Sequence, residues 1–102
     1  MTVDQHPDRA LYAISVASEL TGVNPQMLRA YEDRGLLRPQ RTPGSTRRYS
    51  NRDNERIQRI SALLLSGLNL SGVAQVLELE VETDRLRDEV DQLRRTAQQG
   101  DS

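Results

Sequence analysis

The chain of 102 residues is 35% apolar, 28% charged and only 3% aromatic, which suits one small domain with an appendage and a core thin enough to gain from a second subunit. No apolar run reaches the roughly 20 residues of a membrane span, and no hydrophobic stretch follows the polar, acidic N-terminus as a secretory signal requires. Cysteine is absent, which excludes disulfides and thiolate metal sites. The single histidine, His6, lies in a polar leader, away from any Ser–His or zinc pattern. No catalytic residue, metal or cofactor is expected, and the composition points to a cytoplasmic binding protein rather than an enzyme.

The net charge of −1 conceals an asymmetry. Residues 1–28 sum to −2, residues 29–59 carry nine arginines against Glu32, Asp33, Asp53 and Glu55 for +5, and residues 60–102 sum to −4. A basic middle between acidic ends reads either as a polyanion-binding surface confined to one segment or as a salt-bridged, solvated face. All fourteen basic residues are arginine. Arginine suits bidentate contacts to phosphate and guanine, and a GC-rich genome produces the same bias.

In chain order, residues 1–10 are polar, contain Pro7 and lack periodicity, so a flexible leader is expected. Residues 11–14 are a short apolar approach with the makings of a strand. Ser15 is a candidate cap for a first helix, with Val16, Ala17 and Leu20 on one face. Gly22 ends that helix in the left-handed conformation that glycine adopts cheaply. Asn24 and Pro25 restart a helix, asparagine at the cap and proline at the first helical position. Met27, Leu28 and Tyr31 form its inner face, and Gly35 closes it. Two short helices around one glycine break make a helix-turn-helix.

Arg38 and Arg41, then Arg47 and Arg48, flank Pro43-Gly44. Two short arginine-bearing arms around such a turn predict a β-hairpin, or wing, with reason to lie along phosphates. Ser50 and Asp53 make a capping box for a third helix, buried through Ile57, Ile60 and Leu64. Gly67 breaks it, and Asn69 caps a fourth helix with Val73, Val76 and Leu77 facing inward. From there Val76, Thr83, Val90 and Ala97 recur every seven residues, as do Leu79, Leu86 and Leu93, with charged residues between. The pattern predicts a coiled-coil dimer seam in which Leu79, Leu86, Val90 and Leu93 are the chief contacts; a single helix packed back on its own domain is the alternative. β-branched a positions with leucine at d favour a parallel pair.

Five elements in this order carry a resemblance. They are Ile14-x-Val16-Ala17, Thr21-Gly22-Val23, Leu28-Arg29-x-Tyr31-Glu32, Gly35-Leu36-Leu37-x-Pro39-x-Arg41 and Arg47-x-Tyr49. Together they resemble the DNA-binding domain of MerR-family transcription regulators over residues 11 to about 77, and within that family the actinobacterial heat-shock repressors, through Tyr12-x-Ile14-Ser15-Val16-Ala17, Arg47-Arg48-Tyr49-Ser50 and Asn69-Leu70-x-Gly72. The chain departs from the family pattern at Ala30, where an aromatic or histidine is common, at Ser45-Thr46 in place of Gly-Tyr, and at Asn54, where an apolar residue is usual. The fold the resemblance implies is mainly α: a winged helix-turn-helix DNA-binding domain with a small β-hairpin wing, followed by a long coiled-coil dimerisation helix. The expected division is a leader at 1–10, the DNA-binding domain at 11–77, the dimerisation helix at 78–97 and a disordered tail at 98–102.

The resemblance also implies double-stranded DNA as partner, a homodimer with antiparallel helices, and a place with the nucleoid. Gln26 and Arg29 are expected to contact base edges or adjacent phosphate from the second helix, whose N-terminus Asn24 and Pro25 place; Asn24 is equally a plain cap. Tyr31 either offers its hydroxyl to phosphate or fills the core. Arg41, Arg47 and Arg48 are expected to meet the backbone or minor groove, with Tyr49 anchoring the wing base and touching phosphate. Arg52 and Arg56 read as ordinary solvent-facing residues. The function implied is a homodimeric repressor of an inverted-repeat operator, with the chaperone DnaK as co-repressor. The alternatives are a promoter-distorting activator working with RNA polymerase, and a coiled-coil adaptor with a vestigial helix-turn-helix.

Overall fold

The structure, a computed structural model, describes residues 6–100, which divide into two compact units at 68/69. In the first unit a short strand, β1 (Ala10–Tyr12), leads into α1 (Ile14–Thr21) and α2 (Pro25–Asp33). The wing strands β2 (Gln40–Arg41) and β3 (Arg47–Ser50) follow, and α3 (Asn51–Leu65) begins directly after β3. The three strands form one antiparallel sheet in the order β1-β3-β2. The wing is therefore fastened along its second arm, where Tyr12 lies opposite Tyr49 and Ala10 opposite Ser50.

Local chemistry accounts for most of the helix ends. Gly22, at φ +76°, ends α1 and donates its N–H to the Ser18 carbonyl. The Asn24 side chain accepts the Met27 N–H at 2.9 Å, with Pro25 in the first turn. Gly35, at φ +74°, lets the chain reverse so that the Leu36 N–H reaches back to the Tyr31 carbonyl at 2.9 Å. The Ser50 hydroxyl accepts the Asp53 N–H at 3.0 Å while the Asp53 carboxylate accepts the Ser50 N–H at 2.9 Å, a reciprocal capping box.

Ser15 is not a cap. The cap position of α1 is Ala13, which is extended and makes no side-chain bond, and Ser15 lies exposed in the first turn. Pairing of β1 with β3 holds the chain extended up to Tyr12, so the helix starts before the serine. Residues 6–10 also differ from a free leader: the Arg9 N–H reaches the His6 carbonyl at 3.2 Å, and the Arg52 N–H reaches the Pro7 carbonyl at 2.9 Å. Asp8 pairs with the Arg52 guanidinium at 2.7 Å. Residues 1–5 of the expected leader lie outside the described residues.

The core of the first unit is Ala17, Leu28, Tyr31, Leu36, Leu37, Tyr49, Ile57, Ile60 and Leu63. Val16, Leu20 and Met27, expected inward, are exposed. The eight-residue α1 packs on α2, α3 and β3, and Ala17 is its one buried residue. On α3 the stripe 57–60 continues through Leu63, while Leu64 is half-buried. Both lie one turn beyond Ile60, and the 3.6-residue period leaves the choice to packing.

The second unit is one helix, α4 (Leu70–Gly100). Asn69 accepts the Gly72 N–H at 2.8 Å at its start. Val73 and Leu77 are buried and Val76 half-buried, whereas every residue from 81 to 100 is exposed. The division expected after residue 77 falls inside this continuous helix, nine residues beyond the boundary between the two units. Residues 98–100, expected in the disordered tail, are helical, and 101–102 lie outside the described residues.

Candidate nucleic-acid interface

A nine-residue helix can offer one face to the core and one to solvent, and α2 does so. Leu28 and Tyr31 are buried, while Gln26 and Arg29, three residues apart, are exposed together. Asn24 is exposed but its side-chain oxygen is engaged in the cap. Pro25 has no N–H, and the Leu28 N–H goes to the Asn24 carbonyl at 3.1 Å. With the Met27 N–H also taken, the Gln26 N–H is the donor this turn has left for an anion, so the helix end by itself is a modest phosphate site.

The wing meets α2 through one carboxylate. In the β2–β3 ladder Arg41 lies opposite Arg47 and Gln40 opposite Arg48. Two guanidinium groups facing each other across a ladder repel. Glu32, near the C-terminal end of α2, bridges both and offsets half of their charge: Oε1 accepts from Arg41 Nη2 at 2.8 Å and Oε2 from Arg47 Nε at 2.6 Å. The hydrogen bond to Glu32 raises the pKa of Arg47 above its ordinary value, against a smaller opposing effect of burial. The tip closes through the Thr42 N–H to the Thr46 carbonyl at 2.9 Å and the Ser45 N–H to the Thr42 carbonyl at 2.8 Å. Arg41 Nη1 steadies the tip by donating to the Ser45 carbonyl at 3.2 Å.

The sequence-derived residues thus fall into three groups. Asn24, Gln26, Arg29 and Arg41 are exposed; Pro25, Arg47 and Arg48 are half-buried; Tyr31 and Tyr49 are buried. The two tyrosine rings fill the core instead of lying on the exposed face with Gln26 and Arg29. Burial pushes the Tyr49 phenol above its ordinary pKa, with Arg47 and Arg29 pulling it down and Glu32 and Asp53 adding to the rise. Its hydroxyl has no hydrogen-bond partner among the described residues.

Glu32, which the sequence shows only as the end of the Leu28-Arg29-x-Tyr31-Glu32 element, and Arg56, expected to be an ordinary solvent-facing residue, both have partners at the site. Arg56 Nε donates to the Leu36 carbonyl, tying α3 to the segment that leads into the wing, so it is not merely solvent-facing. For Glu32 a signal existed: it is one of only four acids among nine arginines in residues 29–59.

On α4 the expected seam residues Leu79, Leu86, Val90 and Leu93 are all exposed. Arg85 is held along the helix by Glu82 and Glu89. No group of three or more His, Cys, Asp or Glu side chains among the described residues is placed to hold a metal ion. No described helix is long and apolar enough to cross a membrane.

Comparison with known proteins fits this geometry. The chain is 43% identical over 81 residues to the heat shock protein HspR of Streptomyces coelicolor, covering 78% of this chain and 54% of that one. It is 33% identical over 89 residues to the HTH-type transcriptional regulator GlnR of Bacillus anthracis, covering 84% of this chain and 69% of the relative. The chain therefore spans little more than half the length of the HspR protein it matches. Among solved structures its fold is similar to that of HiNmlR, a MerR family regulator lacking the sensor domain, bound to promoter DNA. That likeness has a TM-score of 0.62 at 22% identity and covers 82% of this chain and 76% of the other. Residues 12–80 match the family described as MerR HTH family regulatory protein, and the chain, with its helix pair, two-stranded wing and long final helix, belongs to that family.

Proposed function

We propose that the protein is a sequence-specific DNA-binding transcription regulator, acting as a homodimeric repressor on an inverted-repeat operator. The observation that carries this reading is the joining of two DNA-suited surfaces through Glu32: the exposed Gln26–Arg29 face of α2 and the arginine-bearing wing. Side chains on a helix face read base edges in the major groove, and wing arginines hold phosphates and fix register. Two copies joined through the exposed leucines of α4 present two such heads, which an inverted repeat matches by symmetry. Likeness to the Streptomyces coelicolor heat shock protein supports stress genes as targets, and a chaperone co-repressor, DnaK, is the further partner this reading carries.

Selection of duplexes from a random-sequence library by the wild-type protein tests it, and an inverted repeat is the expected product. On the enriched duplex, Arg29→Ala should cost about 1–3 kcal/mol and relax preference at one or two base pairs, as loss of a bidentate base contact does. Equal affinity of wild type and variant for every base substitution would remove Arg29 from the reading face.

A further inference from the structure

We propose that Glu32 is a positioning residue for DNA recognition: by gripping Arg41 and Arg47 at once, it locks the wing to α2 and fixes where the wing arginines meet the duplex. This rests on the DNA-binding reading above. Both Glu32 oxygens are used, one on each arm of the hairpin. The carboxylate is the most sheltered of the three groups, 18% exposed against 26% for Arg47 and 44% for Arg41, so salt screens the clasp less than an open surface pair.

The clasp orients the arginines without using them up. Arg47 is held by Nε, which leaves both of its Nη groups as donors, and Arg41 gives one N–H from each Nη, which leaves Nε and one N–H on each Nη. Glu32 stands three residues after Arg29, on the helix that carries the reading face. Helix and wing then approach DNA as one piece, with side-chain order already present before binding. Without the carboxylate, Arg41 and Arg47 face each other as like charges across the ladder and splay.

A consequence of sign separates positioning from simple support. Glu32 repels phosphate, so removing its charge should strengthen sequence-independent attraction while weakening the fit to a specific site. Glu32→Gln keeps the side chain's shape and loses the charge. Wild type and variant are titrated on the duplex enriched by the wild type and on a scrambled duplex of equal composition. The expected result is a fall of about tenfold in affinity for the enriched duplex with equal or higher affinity for the scrambled one. In the Arg41→Ala/Arg47→Ala background, adding Glu32→Gln should change affinity for the enriched duplex by less than about twofold, because the residue acts through those arginines. Parallel losses on both duplexes with a lowered melting temperature would mean a purely structural residue and overturn the proposal. So would full additivity in the triple variant, or an unchanged preference for the enriched duplex. A wild-type protein that enriches no sequence would overturn the DNA-binding reading and this inference with it, whereas an enriched duplex bound alike by both proteins overturns this inference alone.

Discussion

A buried hydroxyl without a partner costs about 1–3 kcal/mol in lost hydration, and Tyr49 carries one at the centre of the sheet. Burial also makes its neutral form the favoured one, raising the phenol above its ordinary value of 10.0. The unfolded chain therefore ionises this group at lower pH than the folded chain does. Its contribution to stability is full below about pH 10 and is lost as pH climbs through the folded value. Tyr49→Phe removes the hydroxyl without breaking a bond, so the melting temperature at neutral pH should hold or rise and the alkaline decline should shrink. Thermal melts from about pH 7 to about pH 11 check both halves; a neutral-pH loss would show that the hydroxyl is engaged. Legibility at this scale followed sequence distance. Gln26 and Arg29 were readable because three-residue spacing on a helix fixes a common face. The Glu32 clasp was not, because its partners lie nine and fifteen residues away and meet it only once the hairpin has folded back.

Elements were legible where their ends depend on neighbours within four residues. Asn24-Pro25 and the Ser50–Asp53 box form as read because cap and helix share one stretch of chain. Ser15 failed for the opposite reason: the start of α1 is set by β1 pairing with β3, some forty residues along the chain. The wing turn likewise places its left-handed residue at Ser45, φ +67°, beside the Gly44 that the sequence offered. Loss of a cap costs about 0.5–2 kcal/mol, so Ser50→Ala should destabilise the first unit by about 1 kcal/mol in a urea titration. Asp53→Ala should cost a similar amount. The double variant should cost less than the two summed, since each side chain caps the other's backbone. Strict additivity would mean that the box is not cooperative.

For the molecule as a whole, the heptad pattern and the approximate ends of the final helix were readable, and its continuity across residue 77 was not. The Asn69 cap places the start of α4 at Leu70, as found, while the change to charge-rich heptads hid that the fourth helix and the seam helix are one unbroken helix to Gly100. Leu79 and Leu93 are 65% and 70% exposed, an apolar stripe that water disfavours and a second copy would cover. Leu86→Ala with Leu93→Ala strips that stripe in both chains, at about 2–5 kcal/mol for each site fully buried in a dimer. Sedimentation should find monomers at micromolar concentration. Affinity for an inverted repeat should drop steeply as the gain from two linked heads disappears, while the first unit, whose core includes neither leucine, stays folded. A dimer indifferent to both changes would place the seam elsewhere. The unbroken course of α4 also has a meaning for insertions and deletions. Each helical residue turns the axis by about 100°, so the angle between buried Val73 and Leu77 and exposed Leu86 and Leu93 is set by the count of residues between them. One inserted residue would swing the outer leucines by about 100°, four by about 40°, and seven by only about 20°. Length in this helix can therefore drift only in steps close to whole turns.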